Sequence, residues 1–429
     1  MTAKNPAEFD LAIVGGGATG LATALLVARR TRAAGGRPPQ IAVIAPKPVP
    51  TERRMANEHG MTRTAAVFQD GCGLLEEAGA SAALFDQGAA LKAIRMIDIS
   101  DRLLRAPDVT FQANELGLEA FGYNLANADI AASLEEAVAK ETQIQRLEAA
   151  VTDVAWQEEA VVLILRTGRE IAASSVVAAD GRKSLVRQAA GISTRRSDSG
   201  QAALIAKFGH SRPHNGISTE LHDAGGPCTS VPLPGDTSSL VWMMPEADAQ
   251  AYVSDDRGTR RLQRDLQSRV GSFLGTLGDF SSPVAIPLMS FTANPLAHRR
   301  IFLVGEAGHA FPPIGAQGLN LGLRDADDAA TMISQTLVDG GDPGASAITQ
   351  RYHRRRWLDV QARTQGVDLF NRSLTGDIAG LALARGAGLH ALRAVPGLRR
   401  FLMRQGMRGL TIPSAITNVR IGSDRGADA

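Results

Sequence analysis

The sequence predicts an α/β protein in which a Rossmann-like domain is interrupted by a β-rich insertion and closed by a helical C-terminal part. Three observations predict it. "FDLAIVGGGATGLATALLVARR" reads as strand, glycine turn and helix: a short apolar run at Phe9 to Val14, then an Ala/Leu-rich helical pattern. The middle of the chain is dense in short strands and lacks the alternation of strand and helix that builds a parallel sheet. Beyond Asp339 the chain turns mostly helical and increasingly basic. The expected boundaries are 1–72, 102–187 and 285–360 for the discontinuous Rossmann-like domain, 73–101 and 188–284 for the β-rich domain, and 361–429 for the helical basic region.

The elements follow in order. After Gly35-Gly36, "QIAVIAP" from Gln40 supplies the next strand and completes a βαβ unit of the usual length. "MTRTAAVFQDGCGLLEEAGA", Met61 to Ala80, reads as a helix, and Asn127 to Lys140 as a second one with an acidic outer face. "VVLILRTGREIAASSVVAADG" is a hairpin turning at Thr167-Gly168 and ending at Asp180. Further strands come at "ALIAKFGH", "TSVPLPG" and "SSLVWMMP", where Phe208 and Trp242 are expected in the core. "RIFLVGEAG" is again a buried strand, followed by a glycine stretch and a helix from Gly318 through Leu337.

Composition excludes several classes. A chain of 429 residues with 44% apolar content can bury the cores of two or three domains, and a formal charge of +2 makes no case for a nucleic-acid partner. Cys72 and Cys228 are too few for a disulfide framework and too far apart for a metal-ligand spacing; His210, His214 and His222 define no metal site either, so none is assigned. "MTAKNPAEFD" has no basic segment leading into an apolar one, and no apolar run approaches the ~20 residues that span a bilayer. A cytoplasmic location is expected, with attachment to a membrane surface as the furthest departure from it. Arg385, Arg393, Arg399, Arg400, Arg404 and Arg408 stand between Leu381 and Arg408 without an acid among them. They fit either an anionic membrane surface or acidic partner, or a solvated helix packed on the body.

Gly15, Gly17 and Gly20 match G-x-G-x-x-G directly after a strand and at the opening of a helix. The first glycine permits the tight turn, the second lets the backbone approach a pyrophosphate, and the third lets helix and strand pack closely. The acid that such folds place after the second strand, to bind a ribose, is missing: the strand ends at Ala45-Pro46, and Glu52 in the following loop is the nearest substitute. Asp180-Gly181 follows another strand and precedes Arg182, Ser184 and Arg187; Asp180 can serve a ligand or simply cap a helix. In the third segment Gly305 and Glu306 follow a strand, and Gly315, Gln317 and Gly318 precede a helix whose amides would converge on an anion or a ring edge. His309 lies inside this stretch as a candidate proton donor, set against a packing or hydrogen-bonding role.

These three segments, in this order across nearly the whole chain, resemble the FAD-dependent aromatic hydroxylases of the para-hydroxybenzoate hydroxylase type. "GAQGLNLGLRDA" from Gly315, "RTAAV" from Arg63 and "FGYN" from Phe121 bring the likeness closest to the ubiquinone-biosynthesis hydroxylases. The resemblance implies that Gly15, Gly17 and Gly20 hold the FAD pyrophosphate and that Arg63 lies near the phosphates or the flavin edge. It places Asp180 and Gly181 in a motif serving FAD and reduced nicotinamide. Glu306, after Gly305, stands where the family usually has an Asp on the ribityl chain, and Pro312, Gly315, Gln317 and Gly318 would line the flavin. It further implies NAD(P)H or another electron donor as reductant, O2 as co-substrate, and hydroxylation of a prenylated phenol or quinone precursor through a flavin hydroperoxide. Other quinone-biosynthesis proteins would be partners. A prenyl reductase of the same superfamily and a non-catalytic flavin-binding scaffold are the alternatives; a halogenase is disfavoured because W-x-W-x-I-P is absent around Trp156, Trp242 and Trp357.

Overall fold

The computed structural model describes residues 7–47, 63–100, 108–223, 225–253, 256–312, 317–375 and 396–407. Strand Phe9–Val14 lies between two parallel neighbours, Glu170–Ala178 and Ile41–Ala45, which is why all of it except Asp10 is buried and apolar. Ile144–Glu148 and Ile301–Leu303 extend the sheet to five parallel strands, in the spatial order 301–303, 170–178, 9–14, 41–45, 144–148. The Val161–Leu165 and Val151–Trp156 strands add antiparallel pairs beside Glu170–Ala178. Helix Ala18–Ala33 packs against helix Gln317–Val338. Small residues permit that approach: a Cβ on Gly322 would come within 2.6 Å of the Thr19 side chain.

A second sheet of nine strands is mainly antiparallel. Its path runs His309–Ala310, Val284–Asn294, Ser193–His210, Thr237–Pro245, Gly226–Leu233, Ile217–Asp223, Ala93–Asp98, Val109–Gln112, with Leu277–Gly278 paired to Ser193–His210. Helices Glu246–Val253 and Asp256–Leu274 cover one face and bury Leu204, Phe208, Leu221, Leu240 and Trp242 with it. Thr64–Phe68, Gly122–Ala126 and Ala89–Ala90 form a small third sheet, tied to the second by Asn124 Nδ2, which donates to Pro232 O at 2.9 Å.

Two readings of the sequence change here. Met61 to Ala80 is not one helix: Thr64–Phe68 is a strand paired with Gly122–Ala126, and the helix begins at Gln69 and ends at Glu77. Pairing overrides the helix propensity of Ala65 and Ala66, because buried Asn320 accepts from Phe68 N at 2.9 Å and donates to Ala66 O at 2.7 Å. In addition, Val109–Gln112 and the whole of Val284–Asn294 join the second sheet, so boundaries at 102 and 285 place these strands with the wrong sheet. Helix Ser346–Thr375 likewise runs through position 361 without a break. No helix among the described residues is long and apolar enough to cross a membrane.

Candidate active site

Three adjacent parallel strands end together. Val14, Ala178 and Leu303 are in register, so Gly15, Asp180 and Gly305 emerge at one C-terminal edge of the sheet although the chain separates them widely. That edge is where open α/β sheets take ligands.

The first wall is made by leaving side chains out. Gly15 has φ +123, and a Cβ there would lie 2.2 Å from Ala179 O; one on Gly20 would lie 2.5 Å from Gly15 O. A Cβ on Gly17 would meet nothing within 4 Å. Gly17 caps helix Ala18–Ala33 with no side-chain hydrogen bond, and the first turn carries no acid, so the positive end of the helix faces open space. The second strand's end has a different role from the one the sequence raises: Arg146 Nη1 donates to Ala45 O at 2.8 Å and Nη2 to Pro46 O at 3.0 Å. Arg146 also pairs with Glu135, which makes Glu135 the acid beside Gly16; Glu52 lies outside the described residues.

At the second wall Asp180 does two things at once. Oδ2 accepts from Leu185 N at 2.9 Å and Val186 N at 3.3 Å, capping the short helix Leu185–Ala189. Oδ1 is buried with no hydrogen-bond partner among the described residues. Burial pushes the carboxyl above its ordinary range, with the Ser184, Val186 and Leu185 hydrogen bonds acting against it. Gly181 follows at φ +80. Arg187 is buried, donating to Ala307 O at 2.7 Å and Arg182 O at 2.8 Å, and so stitches this wall to the third.

The third wall is held by buried charge. Gly305, at φ +56, donates its N–H to Asp325 Oδ2 at 2.9 Å, and His309 Nε2 lies 2.6 Å from the same oxygen. Arg356 Nε binds Asp325 Oδ1 at 2.6 Å, while its Nη1 reaches Asp328 at 3.1 Å and Asp359 at 3.0 Å. Every member is less than a tenth exposed. Burial acts to raise the Asp325 carboxyl, yet the charges of His309 and Arg356 hold it below its ordinary value. His309, the proton-donor candidate, is therefore engaged in structure, and it also stacks on Phe311 with ring centroids 5.1 Å apart. Sequence reasoning passes over Asp325 and Arg356. A signal is nonetheless present: "RDADD" sets Asp325 and Asp328 three apart on a helix whose Leu321, Leu323, Ala326 and Ala329 are buried.

The remaining expected residues are placed as follows. Glu306 is half exposed, and its Oε1 accepts from Arg182 Nη2 at 2.9 Å and Nε at 3.2 Å. Pro312 is buried, Gln317 opens helix Gln317–Val338, and Gly318 is exposed; Gly315 lies outside the described residues. Arg63 is exposed at the start of strand Thr64–Phe68, where its carbonyl accepts from Asn127 N at 2.9 Å.

An FAD fits these residues on two structural grounds: a glycine cradle closed to any Cβ at Gly15 and Gly20 but open at Gly17, and a buried acceptor, Asp180 Oδ1, aimed at no protein donor among the described residues. A family model described as an FAD binding domain matches residues 8–366. The chain belongs to this FAD binding domain family. This flavoprotein is 34% identical to ubiquinone hydroxylase UbiL of Rhodospirillum rubrum over 254 residues, an alignment that spans 59% of each chain. It is 26% identical to 3-demethoxyubiquinol 3-hydroxylase of Escherichia coli over 393 residues, 91% of this chain and 96% of that one. The crystal structure of PqsL, a probable FAD-dependent monooxygenase from Pseudomonas aeruginosa, superposes with TM-score 0.71 at 21% identity, covering 89% of this chain and 99% of PqsL; this shows the shared fold.

Proposed function

We propose that this flavoprotein hydroxylates the aromatic ring of a prenylated phenol on the route to ubiquinone, with NAD(P)H as the electron donor and O2 as co-substrate. The likeness to the E. coli hydroxylase over 91% of the chain, taken with the three-walled cradle, carries the reading. FAD, when bound, supplies the activation of oxygen and its transfer to the ring. The chain's own residues bind and orient. Gly15, Gly17 and Gly20 present helix amides to the pyrophosphate, with Arg63 beside the phosphates or the flavin edge. Asp180 Oδ1 accepts from a cofactor hydroxyl, and Gly181 continues that wall. Glu306 reaches the ribityl chain by exchanging its contact with Arg182, its extra methylene covering the distance that the family's usual Asp does not need. Pro312 and Gly318 line the flavin and keep water from the ring; the resemblance gives Gly315 and Gln317 the same role.

Purified holoprotein supplied with NADH or NADPH, ¹⁸O2 and 2-geranylphenol will yield a hydroxylated product carrying the label, seen by mass spectrometry. A saturated prenyl tail without oxygen uptake would identify a reductase, and a yellow protein forming neither product would identify a scaffold.

Such a substrate resides in lipid, and we assign contact with an anionic membrane surface to the outer face of helix Pro396–Met407. The basic face is narrower than the sequence implies. Arg399 is turned inward, paired with Glu115 at 2.6 Å and lying over the Phe111 ring, and Met403 is buried with Phe68 and Phe121. Arg400, Phe401 and Arg404 are exposed, while Arg385, Arg393 and Arg408 lie outside the described residues. Arg400→Glu with Arg404→Glu will lower co-sedimentation with phosphatidylglycerol vesicles, and added salt will lower it for the parent protein; binding indifferent to both would remove the assignment.

A further inference from the structure

The parallel sheet presents its strand ends in a fixed spatial order. From Leu303 it steps through Ala178 and Val14 to Ala45 and Glu148, about 4.8 Å per strand. A dinucleotide laid along this edge, with its ribityl chain toward Glu306 and its pyrophosphate at Gly15 to Gly17, brings its adenosine to the ends of Ile41–Ala45 and Ile144–Glu148. Folds of this kind carry the ribose acid there, after the second strand, and this chain has Ala45 and Pro46 instead.

Two side chains from other elements stand at that point. Glu135 comes from helix Asn127–Lys140, which buries Ile130, Leu134, Ala137 and Val138 and packs on helix Ala18–Ala33. Arg146 comes from Ile144–Glu148. A Cβ on Gly16 would lie 3.4 Å from Arg146 Nη2 and 3.6 Å from Glu135 Oε1, so both groups border the glycine turn itself. Arg146 is 18% exposed and Glu135 19%. Every N–H of the guanidinium has a protein acceptor. Nη1 donates to Ala45 O at 2.8 Å and Leu147 O at 3.1 Å, Nη2 to Pro46 O at 3.0 Å and Glu135 Oε1 at 3.3 Å, and Nε to Glu135 at 3.4 Å. The carboxylate keeps capacity: its two oxygens offer about four acceptor positions, and its contacts with Arg146 are all 3.3 Å or longer.

We propose that Glu135 accepts the adenosine ribose hydroxyls of FAD in place of the missing strand-end acid, and that Arg146 is the residue that positions it. The assignment rests on the pyrophosphate reading of Gly15 to Gly17 and is independent of the ring substrate. The same guanidinium that holds Glu135 also fastens the end of the second strand through Ala45 O and Pro46 O, so the acid keeps its place relative to the glycine turn. Arg146 answers an electrostatic need as well. A lone carboxylate beside a pyrophosphate would repel it, whereas a paired one presents acceptor oxygens with no net charge. The acid usual in such folds is thus supplied in space by a helix that follows much later in the chain.

The test is a fluorescence titration of flavin-free protein with FAD and with an FAD analogue whose adenosine ribose lacks both hydroxyls. Wild type will bind the analogue about tenfold or more weakly than FAD, the worth of hydrogen bonds to a charged acceptor. Glu135→Gln will weaken FAD by a similar factor and bring the two ligands within about threefold of each other. Arg146→Lys, which keeps the charge and loses the fork, will narrow the gap too. A purely structural role would weaken both ligands alike and leave the gap at its wild-type size, which would overturn the assignment. Glu135→Asp, with the carboxylate drawn back by one methylene, gives the same comparison if Glu135→Gln does not fold. Glu148→Gln makes the same change of charge at the end of the neighbouring strand and will keep the full gap. A gap lost in Glu148→Gln or Glu52→Gln and kept in Glu135→Gln would give the ribose to that acid and overturn the proposal. Wild type that binds FAD and the analogue equally would overturn the ribose contact alone. Wild type with no affinity for FAD would overturn the cradle, and this contact with it.

Discussion

The Gly15 turn and the Gly305 loop stand at one C-terminal edge of the parallel sheet, and they are held by opposite means. Gly305 sits so close to helix Ala18–Ala33 that a Cβ on it would lie 3.1 Å from the Thr19 hydroxyl. Yet the first wall is shaped by bare backbone at Gly15, Gly17 and Gly20, and the third by five buried groups, His309, Asp325, Asp328, Asp359 and Arg356, joined in four pairs. A steric cradle is set by local geometry and fails only when an atom is added to it. An ionic one is set by matched partners and fails when any of them is taken away, because the charge left behind remains buried.

The largest effect therefore falls on the ionic wall. Asp325→Asn removes the negative charge facing His309 and Arg356 and replaces one of the two acceptor oxygens by an NH2 donor, and it will cost about 3–5 kcal/mol in urea unfolding, with release of FAD on gel filtration. The pH dependence follows from the depressed carboxyl. Its stabilisation is full above the unfolded-state pKa and is lost as pH falls through the folded one, so wild type and variant will converge in acid. A variant as stable as wild type at pH 7 would show that the network does not hold the loop.

Gly15→Ala comes next. The residue needs φ +123, and its methyl would stand 2.2 Å from Ala179 O, so strain of about 1–3 kcal/mol and a colourless purified protein are expected. Normal FAD content in this variant would mean that the turn can open without affecting the cofactor.

The same contrast separates what the amino-acid sequence makes legible from what it hides. Gly15, Gly17 and Gly20 are legible because their role is local: a strand, a turn and a helix follow one another in sequence, and the glycines mark where side chains cannot go. The parallel sheet is legible for the same reason, through the apolar runs at Phe9 and Ile301. Asp325 is hidden because its partners, Gly305, His309 and Arg356, are brought to it by separate elements, and spacing along one helix does not name them. Thr64–Phe68 reads as helix because its reasons for being a strand, Gly122–Ala126 and Asn320, lie far along the chain. Asp180 lies between these cases. Its cap follows from local sequence, whereas the orphaned Oδ1 is visible only once burial is known.

The smallest effect on stability is expected at Gly17, and it is the most informative about the cofactor. Unlike Gly15, Gly17 has φ −83 and ψ 169, a conformation any L-residue adopts, and a Cβ there meets no atom of the described residues within 4 Å. Alanine should then leave the unfolding free energy within about 0.5 kcal/mol of wild type. Atoms of the described residues give no reason for glycine at this position, and the proposed site supplies one: a pyrophosphate that approaches the backbone. Gly17→Ala will accordingly keep the fold and weaken FAD binding by about tenfold or more in fluorescence titration, since the methyl occupies space that the pyrophosphate would take at the helix N-terminus. Unchanged affinity would place the phosphates elsewhere along the edge, and equal losses of stability at Gly15 and Gly17 would show that the turn is a packing device throughout.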